Sequence, residues 1–211
     1  WAWTHASMTS VLTAEGLTLP NPGLTRMYMI GGGIGGLVFA LITYFKKTAA
    51  AVTGSLYCLC EGLLIGGMSA FAEAYYPGIA VQASLLTFGT LGALLTAYRS
   101  GMIKATENFR LGVMAATGGI MLVYLFSFAA SFFGASIPFI HESGLFGIGF
   151  SAFVVAIAAM NLVLDFDFIE KGARHGAPKH MEWYAAFGLI VTLVWLYIEI
   201  LRLLMKLQSR D

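Results

Sequence analysis

The chain has 211 residues, of which 58% are hydrophobic and 11% charged, with a formal net charge of +1. Soluble domains carry about 25% charged residues, so this composition excludes an ordinary soluble protein and calls for a lipid bilayer around it. The near-neutral charge leaves no basic footprint for nucleic acid. The expected class is an all-α integral membrane protein, folded as a polytopic helical bundle.

Residues 1–24, "WAWTHASMTSVLTAEGLTLPNPGL", are more polar and read as an extramembrane, outer loop. The opening "WAW" reads as the interfacial end of an earlier helix, because tryptophan favours the membrane boundary. A bilayer core takes about 20 apolar residues per helix. Six such runs follow, at 25–45, 51–72, 79–98, 111–134, 145–167 and 183–205, so residues 25–211 are expected to form one six-helix transmembrane bundle.

Connector charges set the expected orientation. Lys46 and Lys47 follow the first run, Arg99, Lys104 and Arg110 the third, and Lys171, Arg174 and Lys179 the fifth. The alternate connectors, around "AEAYYPG" and "ASIPFIHESG", hold no Lys or Arg. By the positive-inside rule, connectors 46–50, 99–110 and 168–182 are cytoplasmic and the C-terminus lies outside.

"GGGIGG" (31–36) matches the G-x-G-x-x-G fingerprint of dinucleotide sites, but that motif needs a preceding strand and an aqueous pocket. Inside a membrane run, Gly31/Gly35 and Gly32/Gly36 read instead as small-xxx-small spacing for close helix packing, as do Gly62 and Gly66. Cys58 and Cys60 are too few for structural zinc and read as small packing residues.

Carboxylates in apolar runs are functional candidates because burying them in lipid is costly. "LVLDFDFIE" holds Asp165, Asp167 and Glu170. Asp165 and Asp167 are about 200° apart on a helix and cannot share a face. Asp165 is expected to face the bundle, whereas Asp167 and Glu170 read as interfacial acids solvated beside Lys171. Glu61 reads either as a buried, protonated carboxyl bonded to a backbone carbonyl or as an ion ligand. Glu199 and Arg202, three residues apart, can form an ion pair. Two inward carboxyls from different helices would repel when ionised and so share a proton, or capture a hard cation such as Ca²⁺. His141, His175 and His180 read as solvated loop residues. No Ser–His–Asp order, metal-ligand spacing or phosphate loop is visible, and the chain is not expected to be an enzyme.

"CEGLLIGGMSAFAEAYYPGIAVQASLLTFG", "LVLDFDFIEKG" and "WLYIEILRLLMKLQSRD", in that order, resemble the Bax inhibitor-1/YccA family of membrane proteins, in its uncharacterised bacterial branch. The resemblance runs from about Leu24 to the end. It implies a bundle of the Bax inhibitor-1 type with seven spans, the last one central, of which six complete spans and a remnant of the first are readable here. It also implies a bacterial inner (plasma) membrane location and a pH-dependent Ca²⁺ leak.

In the family pattern a sixth-helix aspartate and a seventh-helix acid share a proton and gate the pore. They fall on Asp165 and Glu199, which become the implied pH-sensing pair and Ca²⁺ site. Asp167, Glu61, Arg202 and Lys46 are supporting candidates. Glutamate in "LYIE" departs from the family's aspartate. Lys46 or Lys47 stands where a basic latch for the sixth-helix aspartate is expected, and lysine lacks arginine's bidentate fork. With the last span starting at Trp183, the two acids meet only if that helix starts earlier and its predecessor extends past Glu170. The alternative function is a non-conducting regulator of a membrane protease or another membrane partner, a role that relatives suggest.

Overall fold

In the computed structural model, which describes residues 10–12, 18–20, 22–132 and 144–209, each apolar run is one continuous helix. These are α1 (Pro22–Phe45), α2 (Ala50–Tyr75), α3 (Ile79–Arg99), α4 (Glu107–Phe132), α5 (Leu145–Arg174) and α6 (His180–Gln208). Lipid offers no hydrogen-bond partner, so a spanning segment must satisfy its own backbone, and a helix does so. The hydroxyls follow the same rule. Thr43, Ser69 and Thr87 each donate to the carbonyl four residues back, at 2.7 Å. All six helices are long and apolar enough to cross a membrane. The protein is an all-α polytopic membrane protein.

Ahead of α1, β1 (Ser10–Leu12) and β2 (Thr18–Pro20) form a small antiparallel ribbon with Val11 opposite Leu19. It lies within the stretch read as an outer loop. The expected remnant at "WAW" and His141 fall outside the described residues.

Helix α6 is the axis of the bundle. It touches α2, α3 and α5, whereas α1 leans mainly on α2, and α4 on α5. The core runs along it: Leu196, Ile200 and Leu201 are buried against Ile79 and Ala83 of α3 and Ala158 and Leu162 of α5. The outward faces are apolar too, with Leu37, Phe88 and Phe126 among many exposed large side chains. That inversion of a soluble surface is what a lipid solvent requires.

Helix α5 outruns its apolar window by almost two turns. Lys171 and Arg174 pair with Asp167 and Glu170 at the i,i+4 spacing, which supports helix beyond the hydrocarbon. They also oppose the negative end of the helix dipole.

Three of the expected glycines of α1, Gly32, Gly35 and Gly36, pack on α2, and a Cβ at Gly35 would lie 2.8 Å from Cys60 Sγ. A Cβ at Gly32 would lie 2.5 Å from the Cys60 carbonyl oxygen, and one at Gly36 would lie 2.5 Å from Glu61 Oε1. This pair lets α1 close on α2. Gly31 and Gly62 face open space instead, and Gly67 meets Met29 of α1. A sixfold run of glycine and isoleucine cannot reveal which phase faces the partner.

Between α2 and α3 the chain reverses through Gly78, at φ +88°. Glu73 accepts from the Gly78 N–H at 2.6 Å and the Ala80 N–H at 3.1 Å. It therefore caps the start of α3, where free N–H groups and the dipole both favour an anion.

Candidate functional site

The three acids of "LVLDFDFIE" address three different helices. Asp165 faces α6, where the Thr192 hydroxyl lies against its carboxyl while also reaching the Gly188 carbonyl at 3.3 Å. Asp167 faces α4, whose Arg110 donates to its Oδ2 at 2.5 Å, with Lys171 at 2.9 Å on the same oxygen. Glu170 faces α3, whose Tyr98 hydroxyl donates to Oε2 at 2.5 Å, while Arg174 holds Oε1 at 2.5 Å. At 100° per residue, a helix can present three acids to three neighbours within six positions.

Asp167 and Glu170 thus form a clasp that ties α3, α4 and α5 together at the end of the bundle where the basic connectors lie. The reading of both as ordinary solvated acids does not hold for Asp167. Its side chain is 13% exposed, and its partner comes from another helix. Lys46, read as the latch, is exposed and forms no ion pair among the described residues. Lys47 lies over the Tyr184 ring, 5.1 Å from its centroid. The basic side chain that reaches an acid of α5 from another helix is Arg110, and the acid it meets is Asp167 rather than Asp165.

Asp165 is half-buried, and its Oδ2 is enclosed with no hydrogen-bond partner among the described residues. An ionised carboxylate left in that condition is strongly disfavoured unless a proton or a cation joins it. Glu61 shares the condition at the α1–α2 interface, where Oε2 is also buried without a partner. Of the two readings of Glu61, the one with a bond to a backbone carbonyl finds no such bond at Oε2 among the described residues.

Glu199 is the most enclosed acid, with its side chain 2% exposed, and it is already paired. Arg202 Nη1 sits 3.1 Å from Oε1, and the Tyr124 hydroxyl of α4 donates to the same oxygen at 2.9 Å. Arg202 also donates to Tyr124 Oη at 2.7 Å and covers its ring at 5.2 Å. One turn further on, the buried Lys206 donates to Ser151 Oγ at 2.9 Å and to the Gly147 carbonyl at 3.1 Å.

The register of this antiparallel hairpin corrects the expected carboxyl pair. Lys206 opposite Ser151 and Thr192 opposite Asp165 fix one alignment of α6 on α5. Glu199 lies seven residues beyond Thr192, about 10 Å along the axis at 1.5 Å per residue. Both conditions for a meeting are fulfilled, since α5 passes Glu170 and α6 starts at His180, yet two turns still separate the acids. In this alignment the two side chains are not placed to share a proton or a cation. Among the described residues no three or more His, Cys, Asp or Glu side chains gather as a metal site.

Four contributors were not singled out in the sequence: Arg110, Tyr98, Tyr124 and Lys206. Lys206 carried a signal, because Glu199, Arg202 and Lys206 fall at i, i+3 and i+7 on one face of α6. Tyrosines near the ends of spans gave none, since they serve equally as interfacial anchors.

The central last helix, the acid near the end of the helix before it and the basic end of the bundle together match the arrangement that the sequence motifs imply. The family model for Bax inhibitor 1 like proteins covers residues 2–209. The chain belongs to that family. No curated protein and no solved structure matches it. Among the described residues, Asp165 and Glu61 each keep a buried carboxyl oxygen without a hydrogen-bond partner, whereas Glu199 is paired with Arg202.

Proposed function

We propose that this Bax inhibitor 1 like protein is a pH-sensitive Ca²⁺ leak pathway in which Asp165 is the responding group. The observation that carries the reading is the enclosed Oδ2 of Asp165, on the face of α5 turned to the central helix, with no hydrogen-bond partner among the described residues. A group so placed interacts differently with the bundle when charged and when neutral. Gain or loss of its proton therefore changes how α5 fits α6. The clasp of Arg110, Asp167, Tyr98 and Glu170 two turns or less away supplies the closed end of the path. This reading includes no catalytic step. The basic connectors face the cytoplasm of a bacterial inner membrane, and the C-terminus faces outward.

The test is a flux assay in liposomes that hold a Ca²⁺ indicator. Reconstituted protein admits Ca²⁺ faster than empty vesicles do, and Asp165→Asn alters the rate. Absence of flux, together with a stoichiometric membrane partner in native purification, supports instead the non-conducting regulator reading.

A further inference from the structure

A cleft of about 1070 Å³ opens between the end of α3 and the last turns of α5. Its mouth carries four cations, Arg99, Lys104, Lys171 and Arg174, and two acids, Asp167 and Glu170. Both acids are already held within the protein: Asp167 by Arg110 and Lys171, Glu170 by Tyr98 and Arg174. Arg99 and Lys104 are exposed and form no ion pair among the described residues. The mouth therefore keeps a surplus of two positive charges.

Deeper in, the character changes. Leu91 and Leu95, one to two turns back along α3, and Leu189 of α6 form an apolar wall. Cations at the end of the spans and leucines below them reproduce the profile of a phospholipid, whose headgroup sits at the boundary and whose chains run inward.

We propose that this cleft binds an anionic phospholipid, with its phosphate between Arg99 and Lys104 and an acyl chain along Leu91 and Leu95. Basic pockets between transmembrane helices recognise anionic headgroups in this way. A guanidinium matches two phosphate oxygens with paired hydrogen bonds. A free phosphate ion satisfies the cations but leaves the leucine wall uncovered, and a zwitterionic lipid brings its own positive charge to the mouth. The Ca²⁺ reading of Asp165 is not needed for this site.

Native mass spectrometry of the full chain in mild detergent, with phosphatidylglycerol or phosphatidylcholine added, tests the assignment. The wild type is expected to retain one phosphatidylglycerol at least about tenfold more strongly than phosphatidylcholine, given roughly 1 kcal/mol per basic residue near a lipid surface. Arg99→Gln/Lys104→Gln loses that preference, whereas Lys46→Gln/Lys47→Gln, which removes the same charge elsewhere at the basic end, keeps it. Equal retention of the two lipids by the wild type overturns the proposal without recourse to any variant. So does full retention of phosphatidylglycerol by Arg99→Gln/Lys104→Gln, or its displacement by millimolar inorganic phosphate alone.

Discussion

Arg110 of α4 grips Asp167 of α5 at 2.5 Å and so ties α4 to α5 at the basic end of the bundle. Further along, α4 rests on a small patch of Ile120, Val154 and Ile157 and is tied by Thr117 to Asn161 of α5 and by Tyr124 to Glu199 and Arg202 of α6. Cutting the tie should loosen α4 before any other helix. Arg110→Ala leaves Asp167 with Lys171, so the expected loss is about 1 kcal/mol, in the range of a partly exposed ion pair. Hydrogen exchange should rise in Glu107–Phe132 with little change in α2 or α6. Uniform exchange along the chain would contradict the clasp.

The Glu199–Arg202 pair predicts non-additive stability. Arg202→Leu strands an acid whose side chain is 2% exposed, and breaking a buried pair from one side costs about 3–5 kcal/mol. Glu199→Gln/Arg202→Leu should be milder than Arg202→Leu alone, because no charge is left behind. Unfolding in mixed micelles across the four proteins of the cycle measures this. Additive effects would mean that the two side chains do not interact.

The α1–α2 contact separates two glycines that look alike in sequence. Gly32→Ala drives a methyl against the Cys60 backbone oxygen, which cannot move alone, whereas Gly36→Ala meets the end of the Glu61 side chain. Overpacking costs typically 1–3 kcal/mol. Gly32→Ala should fall in that range, and Gly36→Ala should cost less as Glu61 swings aside. A thermal melt of each variant decides the order.

Ser69 and Tyr197 join α2 to α6 through a buried 2.6 Å hydrogen bond. Ser69 also donates to the Ile65 carbonyl, so removing one partner breaks this one bond and costs about 1 kcal/mol. Ser69→Ala/Tyr197→Phe should cost less than the sum of the single changes. A sum that adds would show the hydroxyls to be satisfied elsewhere.

Most of the architecture was legible, because lipid reduces the problem to counting apolar runs. All six spans followed from the apolar runs, and the central place of the last one from the family resemblance carried by "LVLDFDFIEKG" and "WLYIEILRLLMKLQSRD". The pairing of the acids was not legible. Whether Asp165 meets Glu199 or Thr192 depends on a slide of two turns between α5 and α6, which the apolar runs of the two helices do not specify. Lys206 on Ser151 settles the alignment, and a lysine near the C-terminus reads as a solvated end until its partner is seen. Arg110 escaped for a related reason: 57 residues separate it from Asp167, and connector charges report orientation, not contacts.

Calcium flux measured against pH, in proteoliposomes of the wild type, Asp165→Asn and Glu199→Gln, tests the central claim most directly. Wild-type flux is predicted to rise with pH as Asp165 ionises and offers an inward carboxylate to the cation. Asp165→Asn should flatten that dependence, and Glu199→Gln should keep it, since Arg202 already holds Glu199. An unchanged pH profile in Asp165→Asn, or a profile abolished by Glu199→Gln alone, would contradict the account.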